Sequence, residues 1–201
     1  MVCPTHIIIL IAAFLSLGRH GAIVKCESNW PMNSQWFGDS FDIVKRFFIG
    51  NIREMGYQVF VDPMFTGEWN GLENKFYDFL GAAPLESLAT SSGKTALLLD
   101  PDTGIGLKPT KQHVTVRMIV KYLQEHEIVF SFDQSFSHSS DAIKLEKMRE
   151  KLSLLKKEGA AGFYYDFHAC FLFSATSPEV LANLKHHLVT AGFPEKRFIS
   201  Q

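Results

Sequence analysis

The run ALLLDPDTGIG at 96–106 constrains the fold of this chain most strongly. Its apolar residues Ala96 to Leu99 do not alternate with polar ones, the pattern of a strand buried on both faces, and the turn Asp100-Pro101-Asp102 with Gly104 and Gly106 stops it abruptly. A strand covered on both faces belongs to a parallel sheet with helical crossovers, and such sheets take their ligands at the carboxyl ends of the strands. Asp100 and Asp102 therefore head the candidate site. On such a turn a carboxylate accepts hydrogen bonds from an amine or hydroxyl, or binds a hard cation such as Mg²⁺. The alternative for Asp102 is plain Asx capping of the turn.

The remaining segments fit the same architecture. Val44, Phe47, Phe48, Ile52 and Met55 recur at helical spacing and predict a helix over 42–55, with Asp39 or Ser40 as its cap and Gly56 as its stop. A strand over 57–61 ends at Asp62-Pro63, a helix over 72–80 closes at Gly81, and 82–94 reads as irregular. After the strand at 95–100 come a helix over 114–126, a strand over 127–133 and a charged helix over 143–157 with an apolar stripe of Leu145, Met148, Leu152 and Leu155. Strands at 162–165 and 169–174, a helix from Pro178 to 190 and a last extended edge complete the chain. Residues 32–201 are thus expected to form one α/β domain, three-layered and Rossmann-like, with a mostly parallel sheet. The close pair at 162–174 is either an antiparallel C-terminal hairpin or one long bent strand.

With 201 residues the chain has enough material for one core and too little for two ordinary domains. A formal net charge of -1 gives no global attraction to nucleic acid or anionic membrane. The substrate is left open between nucleic acid and a small molecule. The apolar run Ile7 to Leu17 has the length of a signal peptide and is shorter than the roughly 18 residues of a membrane span, so no stable span is expected. It has no Lys or Arg before it and no clean cleavage site after it. Residues 1–31 are set aside as signal-like, or as an extension upstream of a start at Met32. Cys3, Cys26 and Cys170 are an odd set without C-x-x-C spacing, which favours a reducing, cytoplasmic location. Secretion is the alternative if residues 1–20 act as a signal.

If the strands are parallel neighbours, Asp62, Asp100 and Asp133 gather along one edge of the sheet. Asp166-Phe167-His168 adds His168 as a general acid/base or ligand. In Gly38-Asp39-Ser40-Phe41-Asp42-x-x-Lys45, Lys45 lies one turn beyond Asp42, where a cap and a surface ion pair compete with a site role. Ser92-Gly93-Lys94-Thr95 lacks the glycine and the preceding strand of a phosphate-binding loop, and no G-x-S-x-G, H-E-x-x-H or G-x-G-x-x-G is present.

This order of elements, with ALLLDPDTG at its centre, resembles the class I S-adenosylmethionine-dependent methyltransferase fold, and the D-P-D-T turn looks like the D-P-P-Y type motif of amino-methyltransferases. GDSFDIVKRFF together with LLLDPDTGI is also similar to a group of bacterial and phage proteins with G-D-x-x-D-x-x-K and D-P-D-N-G elements. The resemblance implies a methyltransferase-like enzyme or a degenerate relative, S-adenosylmethionine as cofactor, and Asp100 as anchor for a substrate amine. Under this reading Lys45, Asp62, Gly67 and Gly71 line the cofactor side, and Asp100, Asp102, Asp133 and His168 serve the chemistry. A Mg²⁺-dependent phosphodiester or phosphate-transfer enzyme using Asp62, Asp100, Asp102 and Asp133, and a non-catalytic binding module, are the other readings.

Overall fold

The structure, a computed structural model, describes residues 36–65, 69, 71–90, 93–106, 113–136, 139–168 and 170–200. Residues 1–35 and Gly67 lie outside the described residues, and with them the question of the N-terminal run. Among the described residues no helix is long and apolar enough to cross a membrane.

The chain opens with α1 (Ser40–Glu54) and β1 (Gln58–Asp62), followed by α2 (Glu73–Leu80), a two-residue β2 (Ala83–Pro84) and a 3-10 helix (Leu85–Thr90). Then come β3 (Thr95–Leu99), α3 (Val116–Tyr122), β4 (Ile128–Phe132), α4 (Asp141–Lys157), β5 (Ala161–Tyr165), β6 (Phe171–Ala175), α5 (Pro178–Thr190) and β7 (Phe198–Ser200). The seven strands form one sheet in the order β2-β1-β3-β4-β6-β5-β7.

Alternation along the strands divides the core into two. Val59, Val61, Ala96, Leu98, Phe130, Phe132 and Phe173 pack on one face against Phe48 and Ile52 of α1, Phe76 of α2 and Leu184 of α5. Phe60, Leu97, Leu99, Val129 and Leu172 pack on the other face against Ile119 of α3 and Met148 and Leu152 of α4. The result is three layers, which is why β3, β4 and β6 are buried along their whole length.

The sheet is mixed rather than mostly parallel. β2, β1, β3 and β4 pair in parallel, whereas β4–β6, β6–β5 and β5–β7 are antiparallel. The cause is the short link 166–170 between β5 and β6. A parallel return needs a crossover of about a dozen residues, so this link can only make a hairpin. The hairpin reading of 162–174 therefore holds, and its second strand inserts between β4 and β5.

Local chemistry set most boundaries. Asp39 caps α1, its carboxylate accepting from the N–H groups of Phe41 and Asp42. Helix α3 is shorter than the 114–126 expectation, because Val114 is drawn into a parallel bridge with Ile105 and Thr115 becomes the cap. The stretch 82–94, expected to be irregular, supplies β2 and the 3-10 helix.

At the amino end of β3, His126 is buried. Its Nδ1 pairs with Thr95 Oγ1 at 3.1 Å, while Nε2 has no hydrogen-bond partner among the described residues. Burial lowers the His126 pKa, with the Glu125 carboxylate pulling the other way. A lowered histidine favours the fold fully only above its unfolded value of about 6.5, and that contribution drains away as pH falls through the folded value. Urea midpoints should therefore drop as pH falls below about 6.5. The His126→Gln variant should show a shallower drop, and an unchanged slope would remove His126 from the account.

Candidate functional site

The chain leaves β1 toward β2 on one side and leaves β3 toward β4 on the other, so the connections diverge above the carboxyl ends of the adjacent strands β1 and β3. This is the topological switch point, the crevice where open α/β sheets bind ligands. Its floor is a backbone hydrogen bond from Asp100 N–H to the Asp62 carbonyl, 3.0 Å. Asp62 is half-buried. Its Oδ1 accepts from the Met64 N–H at 3.2 Å and its Oδ2 from the Tyr122 hydroxyl at 3.4 Å. Met64 itself adopts φ +50°, the only positive φ at a non-glycine among the described residues, and strain of this kind concentrates at functional loops.

The amino end of α1 lies across the end of β3. Lys45 Nζ donates to Asp100 Oδ2 at 2.7 Å and to Asp42 Oδ1 at 2.9 Å, and Asp42 Oδ2 accepts from the Gly38 N–H at 2.9 Å. All three side chains are buried, so the expected surface pair of Asp42 and Lys45 is corrected to a buried triad. Burial alone would lower the Lys45 pKa, but Asp100 and Asp42 together raise it, so the amine stays an ammonium. Burial pushes the Asp100 carboxyl up, Lys45 pulls it back, and Asp42 and Asp39 push it up again. The triad holds two carboxylates for one ammonium.

Asp133 follows β4 at the same edge but faces the other layer. Its Oδ1 accepts from the N–H groups of Ile105 at 3.0 Å and Ser135 at 3.1 Å. Its Oδ2 accepts from Lys151 Nζ at 2.7 Å and the Tyr164 hydroxyl at 2.8 Å. Gly104 closes over this carboxylate: it has φ +86°, and a Cβ there would sit 2.5 Å from Asp133 Oδ1 and 2.6 Å from the Gln134 nitrogen. Only glycine permits that approach.

The expected row of acids is thus present as a row, but not as a cluster. Asp100 turns toward α1, whereas Asp62 and Asp133 turn toward α3 and α4. Asp100 and Asp133 are each held by a lysine of the chain. Among the described residues no group of three or more His, Cys, Asp or Glu comes close enough to hold a metal ion. The geometry does not gather Asp62, Asp100, Asp102 and Asp133 around one cation.

Asp102 stands half-buried beyond the turn, its Oδ2 without a hydrogen-bond partner among the described residues. Burial pushes its carboxyl up and the nearby His113 pulls it back. Gly71 is an exposed turn residue whose N–H bonds Glu73 at 2.8 Å. His168 is exposed on the β5–β6 link, stacked on Phe41 in the first turn of α1 with ring centroids 5.6 Å apart. Cys170 is buried, and its thiol donates to the Phe167 carbonyl at 3.2 Å.

Two groups escaped the sequence reading. Glu86, just after β2, lies near Tyr77, whose hydroxyl is pushed up to about 12 by burial and by the carboxylates of Glu86, Asp62 and Glu73. Recognising β2 would have placed Glu86 at a strand end. The other is His113, which hydrogen-bonds Thr103 in the turn after β3; it sits at the edge of an expected helix and shows no local signal.

No protein-family model, curated protein or solved structure matches the chain.

Proposed function

We propose that the chain is a methyltransferase-like α/β enzyme, or a relative that keeps the binding step, and that it holds S-adenosylmethionine in the crevice between the carboxyl ends of β1 and β3. The observation that carries this reading is the switch point itself, walled by Asp62, the strained Met64 loop and the buried end of α1. The donor set suits that cofactor. Asp62 and Glu86 are accessible acceptors for ribose hydroxyls, and the surplus carboxylate of the Asp42–Lys45–Asp100 triad favours a cationic sulfonium. When bound, the cofactor supplies an activated methyl group.

The chain's own residues then divide the remaining work. Lys45 fixes Asp100, so the ammonium that a substrate amine would otherwise present is already supplied from within. Asp102, whose buried Oδ2 has no hydrogen-bond partner among the described residues, is left to meet the acceptor. What supports the finer, Rossmann-like fold reading is the run of parallel strands from β2 to β4; β6 and the edge strand β7 run the other way.

Calorimetric titration with S-adenosylmethionine tests the proposal. One-to-one binding in the micromolar range, weakened at least tenfold in Asp62→Ala, is the expected result; that factor is about 1.4 kcal/mol. Absence of binding to the folded protein would overturn it. A parallel titration with Mg²⁺ should show no tight site.

A further inference from the structure

The turn after β3 carries a pair of groups that cofactor binding does not use. Thr103 Oγ1 hydrogen-bonds His113 Nδ1, and both side chains are half-buried, within reach of solvent. The imidazole is positioned by the fold. His113 precedes Val114, whose carbonyl accepts from the Gly106 N–H at 2.8 Å and whose N–H donates to the Gly104 carbonyl at 3.2 Å. The ring lies so close over Gly106 that a Cβ there would meet its Cγ at 3.1 Å. Asp102, next to Thr103, lies near enough to the imidazole for the two groups to interact electrostatically. A hydroxyl bonded to an imidazole, with a carboxylate beside that imidazole, is the arrangement by which chains make nucleophiles of neutral hydroxyls. Here it sits in the loop that open α/β sheets use for ligands.

We propose that Thr103 and His113 form a nucleophile–base pair that accepts an acyl group from an ester. In the first step Thr103 Oγ bonds to the ester carbonyl carbon and its proton passes to His113 Nδ1. The carbon–oxygen bond to the leaving alcohol breaks, and that oxygen takes the proton from His113. Water then attacks the acyl-Thr103 carbonyl, His113 takes the water's proton and returns it to Thr103 Oγ, and the carboxylic acid departs. No cofactor enters, so this chemistry stands apart from the methyltransferase reading.

The test uses the whole protein and p-nitrophenyl acetate, followed by p-nitrophenolate release, intact mass and peptide mapping. The wild type and Thr103→Ser should gain one acetyl group at residue 103. Thr103→Val should gain none there while melting at the wild-type temperature. His113→Gln should label about a hundredfold more slowly, the range expected for loss of a general base. Acetylation confined to other residues, or undiminished labelling of residue 103 in a folded His113→Gln variant, would overturn the proposal. S-adenosylmethionine titration of Thr103→Val, expected to match the wild type, reports on the cofactor reading separately.

Discussion

Replacing Asp133 with alanine is expected to be the most damaging single change in the molecule. The carboxylate accepts from two backbone N–H groups, the Tyr164 hydroxyl and the Lys151 ammonium, all at the buried junction of β4, α4 and the turn after β3. Removing one partner of a buried ion pair costs about 3–5 kcal/mol, because the remaining charge is left without compensation. The two orphaned N–H groups add about 1–3 kcal/mol each if water does not reach them. Such a loss is comparable to the whole stability of an ordinary domain, about 5–15 kcal/mol. Denaturant unfolding should show Asp133→Ala largely unfolded, and Lys151→Met, which leaves three donors on the carboxylate, less affected. A loss below about 1 kcal/mol for Asp133→Ala would show that the hub is solvated and not structural.

Lys45→Met is the second. It leaves Asp42 and Asp100 buried together at the amino end of α1 without their shared ammonium, at an expected cost of about 3–5 kcal/mol at neutral pH. The pH dependence gives this prediction a sign. Burial already raises the Asp100 pKa, and Lys45 opposes that shift; without Lys45 the folded value rises further. A carboxylate raised in the folded state stabilises the fold below its unfolded value and loses that contribution as pH rises through the folded value. Lys45→Met should therefore recover stability relative to the wild type as pH falls toward about 4, and Lys45→Met with Asp100→Asn should recover part of it at neutral pH. A deficit that is flat with pH would place the damage in packing around Phe132, over which the ammonium sits at 5.3 Å, and not in the carboxylates.

Much of this architecture was legible because it is local. Asp39 as cap, Gly81 as stop and the largely apolar, non-alternating runs of β3 and β4 each follow from a few neighbouring residues. The site was legible only as a row of strand ends. Whether two such ends share a face depends on register, and a one-residue offset reverses every side chain. Leu99 pairs with Ser131, so Asp100 stands level with Phe132, and Asp133 lies one residue further on and faces the opposite layer. Nothing in either segment states that offset. Lys45 was hidden for a similar reason: its spacing from Asp42 describes the helix, whereas its burial depends on α1 lying across β3, a contact made far away in sequence. The insertion of β6 between β4 and β5 is likewise a property of the whole sheet, although the short β5–β6 link did require a hairpin.

Hydrogen exchange with and without saturating S-adenosylmethionine reports where the cofactor sits on the sheet. The β1–β3 crevice requires slowed exchange at the amides of Asp62, Met64, Phe65, Asp100 and Asp102 and in the first turn of α1, with no change around His126 at the opposite end of the sheet. Protection confined to that opposite end, or none anywhere at saturating cofactor, would contradict the assignment of the crevice as the binding site.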